Sequence, residues 1–129
     1  MIDMSPVLAR FSDKKARIEC DEGWHKLILD LDAELSEIDP NYVVLQIKEK
    51  FGGLRYYYIT ESSRGRLMDH VIRNYEKIAL ETCEVSGKPG VLMSDGFIYK
   101  TLCIEHAPER FAPVHRGRGP QDVNSFRTI

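Results

Sequence analysis

The sequence predicts an α+β fold in which two amphipathic helices pack on a β-hairpin. Two segments repeat apolar residues every three or four positions, and two alternating runs between them flank a Phe-Gly-Gly turn. Each of these four segments has one apolar face that another segment must cover. The chain has 129 residues, of which 43% are hydrophobic, so a single core suffices. We predict one domain over residues 1–111 and an extended basic tail over residues 112–129.

The first helix is predicted from about residue 21 to residue 38. Its apolar positions recur at helical spacing, and most of its acidic residues fall on the opposite face. The apolar set is Trp24, Leu27, Ile28, Leu31, Leu35 and Ile38. Asp21 can act as the N-cap, and Pro40 ends the helix because its ring disfavours α geometry at the preceding residue. A shorter helix is compatible with residues 1–17.

The hairpin is predicted over residues 41–60. The paired glycines of Phe51-Gly52-Gly53 can adopt the positive φ angles that a tight reversal needs. Because side chains alternate between the two sides of a strand, each arm has one face that is more apolar than the other. The helices are expected to cover that face. The predicted faces are Val43, Leu45 and Ile47 on the first arm, and Leu54, Tyr56, Tyr58 and Thr60 on the second.

The second helix is predicted to run from residues 61–63, which offer capping side chains, to about Cys83. Its apolar positions follow one face over four turns. They are Leu67, Met68, Val71, Ile72, Tyr75, Ile78, Ala79 and Thr82. The first helix, the hairpin and this helix can therefore form a sandwich that closes a core.

Residues 83–111 differ in character and predict a small ribbon-like subdomain. A turn at 86–90, a strand at 91–93, a turn at 94–96 and a return strand at 97–102 form a second hairpin. Cys103 then leads into a short helical piece that Pro108 ends. Beyond Phe111 several prolines and glycines break any regular pattern, which predicts a flexible tail.

Composition narrows the possible classes of function. The formal net charge of −2 excludes a globally basic nucleic-acid binder, and no apolar run approaches the ~20 residues of a membrane helix. Residues 1–6 lack the basic region and the apolar core of a secretory signal, so we expect a cytoplasmic protein. Three widely spaced cysteines do not predict a disulfide framework.

The most specific spacing in the chain joins Cys83, Ser86, Cys103 and His106. A zinc ribbon places two ligands in a turn before a hairpin and two after it, because tetrahedral zinc needs four converging ligands. Ser86 stands where a second cysteine would lie, and serine is a poor zinc ligand. Only tertiary folding could bring in a fourth ligand, from Cys20, His70 or His115. We expect a remnant of a zinc ribbon that binds no metal. The alternative is that Cys83, Cys103 and His106 are zinc ligands.

Three stretches of the chain carry a family resemblance. Glu22-Gly23-Trp24 opens a helix, the string Lys-Glu-Lys-Phe-Gly-Gly-Leu-Arg occupies 48–55, and a turn containing Cys, Gly and Pro precedes Leu102-Cys103. Together, over about residues 20–107, they resemble a family of small uncharacterised proteins found in bacteriophages and prophages. The resemblance implies a helix and hairpin domain joined to a Cys-rich turn, within a host cell, and no activity. Ser86 departs from the family pattern.

Basic residues bracket the glycine turn of the first hairpin. They are Lys48, Lys50 and Arg55, and Tyr57 follows within a run of three tyrosines. Cations beside exposed aromatic rings are typical of a platform for single-stranded nucleic acid. However, Glu49 stands among the lysines, and alternation buries about half of the tyrosines, so packing explains the same residues. Arg55 can also stack on a tyrosine or pair with an acid of the first helix.

The remaining features favour binding over catalysis. Arg116 and Arg118 make the tail locally basic, as a solvated chain end can also be. No nucleophile lies in a recognisable elbow, and no Gly-rich phosphate loop follows a strand. We predict a non-enzymatic protein, a phage-derived inhibitor or adaptor that contacts a host or phage protein, for instance one of a host defence system.

Two alternatives remain open. One is a nucleic-acid-binding module of the zinc-ribbon type. The other is an enzyme built around His106 and the cysteines, which would need a bound metal with an open coordination position. The oligomeric state also stays open, since a hairpin has free edges.

Overall fold

The computed structural model describes residues 2–114, which form the predicted α+β fold. The helices are α1 (Ser5–Leu8), α2 (His25–Ile38) and α3 (Gly65–Ala79), with a 3₁₀ turn at Glu22–Trp24. The strands are β1 (Ile18–Glu19), β2 (Val43–Lys50), β3 (Gly53–Ile59), β4 (Val91–Ser94), β5 (Tyr99–Leu102) and β6 (Ala112–Pro113). Among the described residues, no helix is both long enough and apolar enough to cross a membrane.

The first sheet has three strands in the order β1-β2-β3. β2 and β3 form the predicted antiparallel hairpin, whereas β1 pairs with β2 in parallel, with Ile18 opposite Ile47. Phe11 makes a further parallel bridge to Val44 on the same edge. The N-terminal segment therefore covers an edge that would otherwise be free to pair with another chain. The sequence did not predict this, because two paired residues are too few for a periodic pattern.

The hairpin turn is formed by Phe51 and Gly52, not by the two glycines. Both have positive φ, 55° at Phe51 and 81° at Gly52, which is the pattern of a two-residue type I′ turn. Gly53 already lies in β3, opposite Lys50. The prediction that the paired glycines make the reversal was therefore wrong by one residue.

A bulge changes which residues of β2 face the core. The pairing register shifts between Val44 and Gln46, so Leu45 is the extra residue. As a result Val44 and Ile47 are buried together, while Leu45 is 45% exposed. The predicted face of Val43, Leu45 and Ile47 was wrong for this reason. The face of β3 was predicted correctly as far as Tyr58, since Leu54 and Tyr56 are buried and Tyr58 packs against the core.

Helix α2 follows its predicted pattern closely. Trp24, which precedes it, and four of its own apolar residues are buried: Leu27, Ile28, Leu31 and Leu35. The helix ends at Ile38 because Asp39, before Pro40, is extended. Asp21 lies just before the 3₁₀ turn, but its side chain makes no capping hydrogen bond.

Helix α3 is shorter than predicted at both ends. Arg64, not residues 61–63, occupies the N-cap position, and the helix ends at Ala79 instead of Cys83. Met68, Ile72 and Ala79 are buried against the core, but Leu67 and Ile78 are exposed. The side of α3 that carries those two residues is therefore open to solvent in the described part of the chain.

A buried polar network crosses the core between α2 and the hairpin. The carboxylate of Asp32 accepts a hydrogen bond from Arg10 Nε at 2.7 Å and another from the Tyr42 hydroxyl. The hydroxyls of Tyr42 and Tyr56 are 2.7 Å apart. Arg10 also lies over the Tyr42 ring, 4.5 Å from its centroid. The buried charge of Asp32 is thus both paired and hydrogen-bonded, as burial of a carboxylate requires.

The second sheet has the order β5-β4-β6 and contains the predicted ribbon hairpin. The return strand begins at Tyr99 instead of Phe97, because the Asp95 carboxylate accepts hydrogen bonds from the amides of Phe97 and Ile98. After Cys103 the chain makes a turn, so the predicted short helix was wrong. Beyond the predicted boundary at residue 111, β6 adds a third strand.

Three hydrogen bonds join the ribbon to the rest of the domain. The Gly23 amide donates to the Glu84 carbonyl at 2.7 Å, and the Trp24 indole donates to the Thr82 carbonyl at 2.8 Å. On the hairpin side, the Thr101 hydroxyl donates to the Gly52 carbonyl at 2.7 Å. The ribbon is thereby fixed to the start of α2 and to the tip of the first hairpin.

We expect Gly23→Ala to lower the free energy of unfolding by about 3 kcal/mol or more, at the upper end of overpacking costs. A Cβ at this position would lie 2.2 Å from the Cys83 carbonyl oxygen, so the ribbon would have to move. The measurement is urea denaturation followed by circular dichroism.

Gly65→Ala is the matched control. A Cβ there meets only the Thr60 methyl carbon, at 3.6 Å, and the residue is helical. This variant should gain up to about 1 kcal/mol from helix propensity. Equal stability of the two variants would contradict the close approach of Gly23.

Candidate metal centre and outer sheet face

Cys83, Cys103 and His106 come together as predicted from their spacing. Their ligand atoms all lie within 4.8 Å of one another, and Cys103 Sγ is 3.2 Å from His106 Nδ1. Both cysteines are buried, whereas His106 is exposed. The cluster could hold a metal ion such as zinc.

Two tight turns present these side chains. In the first, the Cys83 carbonyl accepts a hydrogen bond from the Gly87 amide at 2.9 Å, and Gly87 has a φ of 81° that favours glycine. In the second, the Cys103 carbonyl accepts a hydrogen bond from the His106 amide at 3.1 Å. The ribbon hairpin brings the second turn back beside the first.

Ser86 lies at the fourth corner of the cluster. Its hydroxyl is 3.6 Å from Cys103 Sγ and also accepts a hydrogen bond from the Lys88 amide. Among the described residues, neither Cys20 nor His70 belongs to the cluster, so neither supplies the missing ligand. His115, the third candidate, lies outside the described residues.

The environment favours the thiolate form of both clustered cysteines. Burial opposes ionisation of Cys83, but hydrogen bonds from the hydroxyl and amide of Ser86 and from other backbone amides outweigh it, so the pKa is lowered. For Cys103 the Ser86 hydroxyl is the largest cause of a lowered pKa. By contrast, burial and the nearby Glu84 raise the pKa of Cys20 to about 12. Thiolate is the form that binds metal, so Cys20 is a poor ligand.

A buried ion pair supports the turn that carries Cys83. Glu84 is only 2% exposed, and its carboxylate accepts hydrogen bonds from the Asp21 amide at 3.0 Å and from Lys100 at 3.4 Å. Lys100 also bridges to Glu49 at 3.2 Å. Burial raises the pKa of Glu84, which the Asp21 amide and Lys100 partly offset. This group sits at the junction between the hairpin, α2 and the ribbon.

The predicted contact residues of the first hairpin share one face. The register places Lys48 opposite Arg55 and Gln46 opposite Tyr57, on the side of the sheet away from Ile47 and Tyr56. We call this side the outer face; it consists of Gln46, Lys48, Lys50, Arg55, Tyr57 and Ile59, with Leu45 at the bulge. Tyr57 is 44% exposed, and Leu45 and Ile59 are exposed too.

None of the three outer-face cations has an ion pair with another described residue. Lys50 lies 5.5 Å from the centroid of the Phe51 ring. Arg55 lies near Glu76 of α3. Burial raises the pKa of the Glu76 carboxyl, and the charge of Arg55 offsets part of that rise. The alternative pairing of Arg55 with an acid of the first helix is not found among the described residues. Arg116 and Arg118 lie outside the described residues.

The sequence prediction missed some exposed apolar residues. Phe97 was assigned to a strand but lies in a turn, where it is 90% exposed, and Ile104 is also largely exposed. The Ser94-Asp95-Gly96 turn was the available signal, because Asp often accepts hydrogen bonds from the amides that follow it. Leu45 was missed because nothing in the sequence marked the bulge.

Comparison of the chain with protein-family models, with curated proteins and with solved structures finds no match.

We expect Lys100→Met to lower the free energy of unfolding by about 1–3 kcal/mol at pH 7, because it leaves the buried Glu84 charge without its cation. The loss should shrink as the pH falls through the raised pKa of Glu84 towards its ordinary value of 4.5. Without Lys100 that pKa rises further, so the folded state takes up a proton that the unfolded chain does not, which stabilises the variant. Urea denaturation at several pH values measures this.

Lys88→Met is the control for this prediction. Lys88 pairs with Glu105 at 3.2 Å, but both side chains are more than half exposed, so the change should be near zero. A loss for Lys100→Met that does not depend on pH would mean that the lysine acts through packing alone.

Proposed function

We propose that this protein is a non-enzymatic binding protein that acts by protein–protein contact through its outer face. One observation carries the proposal: Lys48 and Arg55 lie opposite each other next to the exposed Tyr57, Lys50 follows towards the turn, and none of the three cations has an ion-pair partner among the described residues. Arginine and aromatic side chains are enriched in protein contact sites. Cations without a partner suit an acidic partner surface.

The apolar residues of the outer face support a protein partner in particular. Leu45 and Ile59 are exposed on the outer face at the end away from the turn, and neither offers a ring on which a base can stack. Apolar contact combined with charge is the ordinary composition of a protein interface. Glu19, opposite Lys48 in the register, adds an acid that phosphates would avoid.

The partner class follows from charge and from the resemblance described above. A positive face increases the rate of encounter with an acidic surface and helps to fix the orientation of the complex. With a phage origin, the partner would be a host or phage protein, and the chain would act as its inhibitor or adaptor, for instance against a host defence system.

Single-stranded nucleic acid is the second candidate ligand. The observation that favours it is the exposed Tyr57 next to Lys48 and Arg55, cations that could neutralise phosphates. The dependence of the binding constant on salt concentration distinguishes the two candidate ligands. Three phosphate contacts would make the logarithm of the binding constant fall with the logarithm of salt concentration with a slope of about −2.

The test compares two double variants of equal charge change. Lys48→Glu with Arg55→Glu reverses the outer face, whereas Lys15→Glu with Arg66→Glu reverses exposed cations elsewhere. Proteins captured from a bacterial lysate by the wild type are purified, and their dissociation constants are measured with each form. We expect at least about tenfold weaker binding for the outer-face variant alone, since like charges across an interface cost several kcal/mol.

Two results would contradict the proposal. One is equal binding by both variants, which would place the contact elsewhere. The other is tight binding of a labelled single-stranded oligonucleotide with the steep salt slope, lost in the outer-face variant, which would establish the second candidate instead.

A further inference from the structure

We propose that Cys83, Cys103 and His106 bind one Zn²⁺ ion, and that its fourth coordination position, beside Ser86, is occupied by an exchangeable water molecule. This site is independent of the outer face. It also differs from the metal-free remnant that the serine in the sequence led us to expect.

The spacing of the donor atoms suits tetrahedral zinc. A Zn–S bond of ~2.3 Å places the sulfur atoms of a tetrahedral site roughly 3.8 Å apart. With a Zn–N bond of ~2.0 Å the sulfur-to-nitrogen spacing is roughly 3.5 Å. Cys103 Sγ lies 3.2 Å from His106 Nδ1, and all the ligand atoms lie within 4.8 Å of one another. Two thiolates and one imidazole are also the donor types that zinc prefers.

Backbone hydrogen bonds join the two turns that carry the ligands. The Glu84 amide donates to the Thr101 carbonyl at 2.9 Å, and the Cys83 amide donates to the Lys88 carbonyl at 2.7 Å. A Cβ at Gly90 would lie 2.9 Å from the Cys83 nitrogen, so the turn is packed closely. The three ligands are therefore positioned in advance, which lowers the entropy lost on metal binding.

Within residues 2–114, the fourth position faces solvent. His106 is exposed and Ser86 is half-buried, whereas both cysteines are buried. A neutral hydroxyl is a weak zinc ligand, so water competes with it at this open side. A site with three protein ligands and one open position can take a small added thiol or imidazole in place of the water.

The first experiment measures the binding of zinc alone to the purified, reduced full-length protein. Competition with a chromophoric chelator gives the stoichiometry and the affinity, and we expect one zinc per chain. Cys103→Ser should abolish binding, whereas Cys20→Ser should bind as the wild type does, because Cys20 lies outside the cluster. Each variant loses one thiol, from inside the cluster in Cys103→Ser and from outside it in Cys20→Ser.

The second experiment tests the open position with cobalt in place of zinc. Adding imidazole or a small thiol should change the cobalt absorption spectrum of the wild type but not that of Ser86→Cys, in which the new thiolate fills the fourth position. Ser86→Cys should also bind zinc at least about tenfold more tightly, since even an outer contact to a ligand is worth 10–100-fold in affinity.

Three results would overturn the proposal. If the wild type binds no zinc while Ser86→Cys binds one equivalent, the cluster is a remnant that needs the missing cysteine. If Cys20→Ser loses zinc as Cys103→Ser does, the ligands are assigned wrongly. If added imidazole leaves the wild-type cobalt spectrum unchanged, the fourth position is closed. The comparison of the wild type with Ser86→Cys stays decisive even where Cys103→Ser fails to fold.

Discussion

The close approach of Gly23 to the backbone of Cys83 and Glu84 is the constraint on which the rest of the structure depends. A Cβ at Gly23 would lie 2.2 Å from the Cys83 carbonyl oxygen, and the Gly23 amide is bonded to the Glu84 carbonyl. Because that contact admits no side chain, the start of α2 fixes where the first metal-binding turn lies. Glu84, whose backbone makes this contact, has a buried side chain that pairs with Lys100 of the ribbon strand β5. The packing around Gly23 and the ion pair of Glu84 thus meet at the turn that carries Cys83.

The stretches that carry the resemblance meet at this junction. Gly23 contacts the Cys83 turn, and Gly52 of the hairpin accepts a hydrogen bond from Thr101 of the ribbon. A Cβ at Gly52 would lie 2.3 Å from a Leu92 methyl carbon. Gly52 therefore serves two purposes, since it forms the turn with positive φ and admits the ribbon beside it. This contact explains Gly52 of the hairpin string, whereas the cations of the string are the residues that we propose for binding.

The periodic spacing of apolar residues predicted the regular elements of the fold. It failed where a single residue determines the local structure. Helix α2 was predicted to its last residue because its apolar pattern and its proline agree. The bulge at Leu45 reversed the predicted face of β2, because one extra residue changes the phase of an alternation. Strand β1 was missed because its pairing is tertiary, and Phe97 because the Asp95 carboxylate takes the amide that a strand would use. The cluster of candidate ligands was predictable because their spacing is visible in the sequence. The position of the Ser86 hydroxyl could be known only from the folded structure.

The ribbon also determines the charge of the outer face. In the sequence Glu49 stands between Lys48 and Lys50, where it would be expected to neutralise them. Alternation instead turns Glu49 to the inner side, where it accepts hydrogen bonds from Lys100 and from the Gly52 amide. Lys100 belongs to β5, so docking of the ribbon engages the one acid that lies between the two outer lysines. The positive face that we propose as the contact site thus depends on the same junction that places the metal centre, although the two sites lie on different elements.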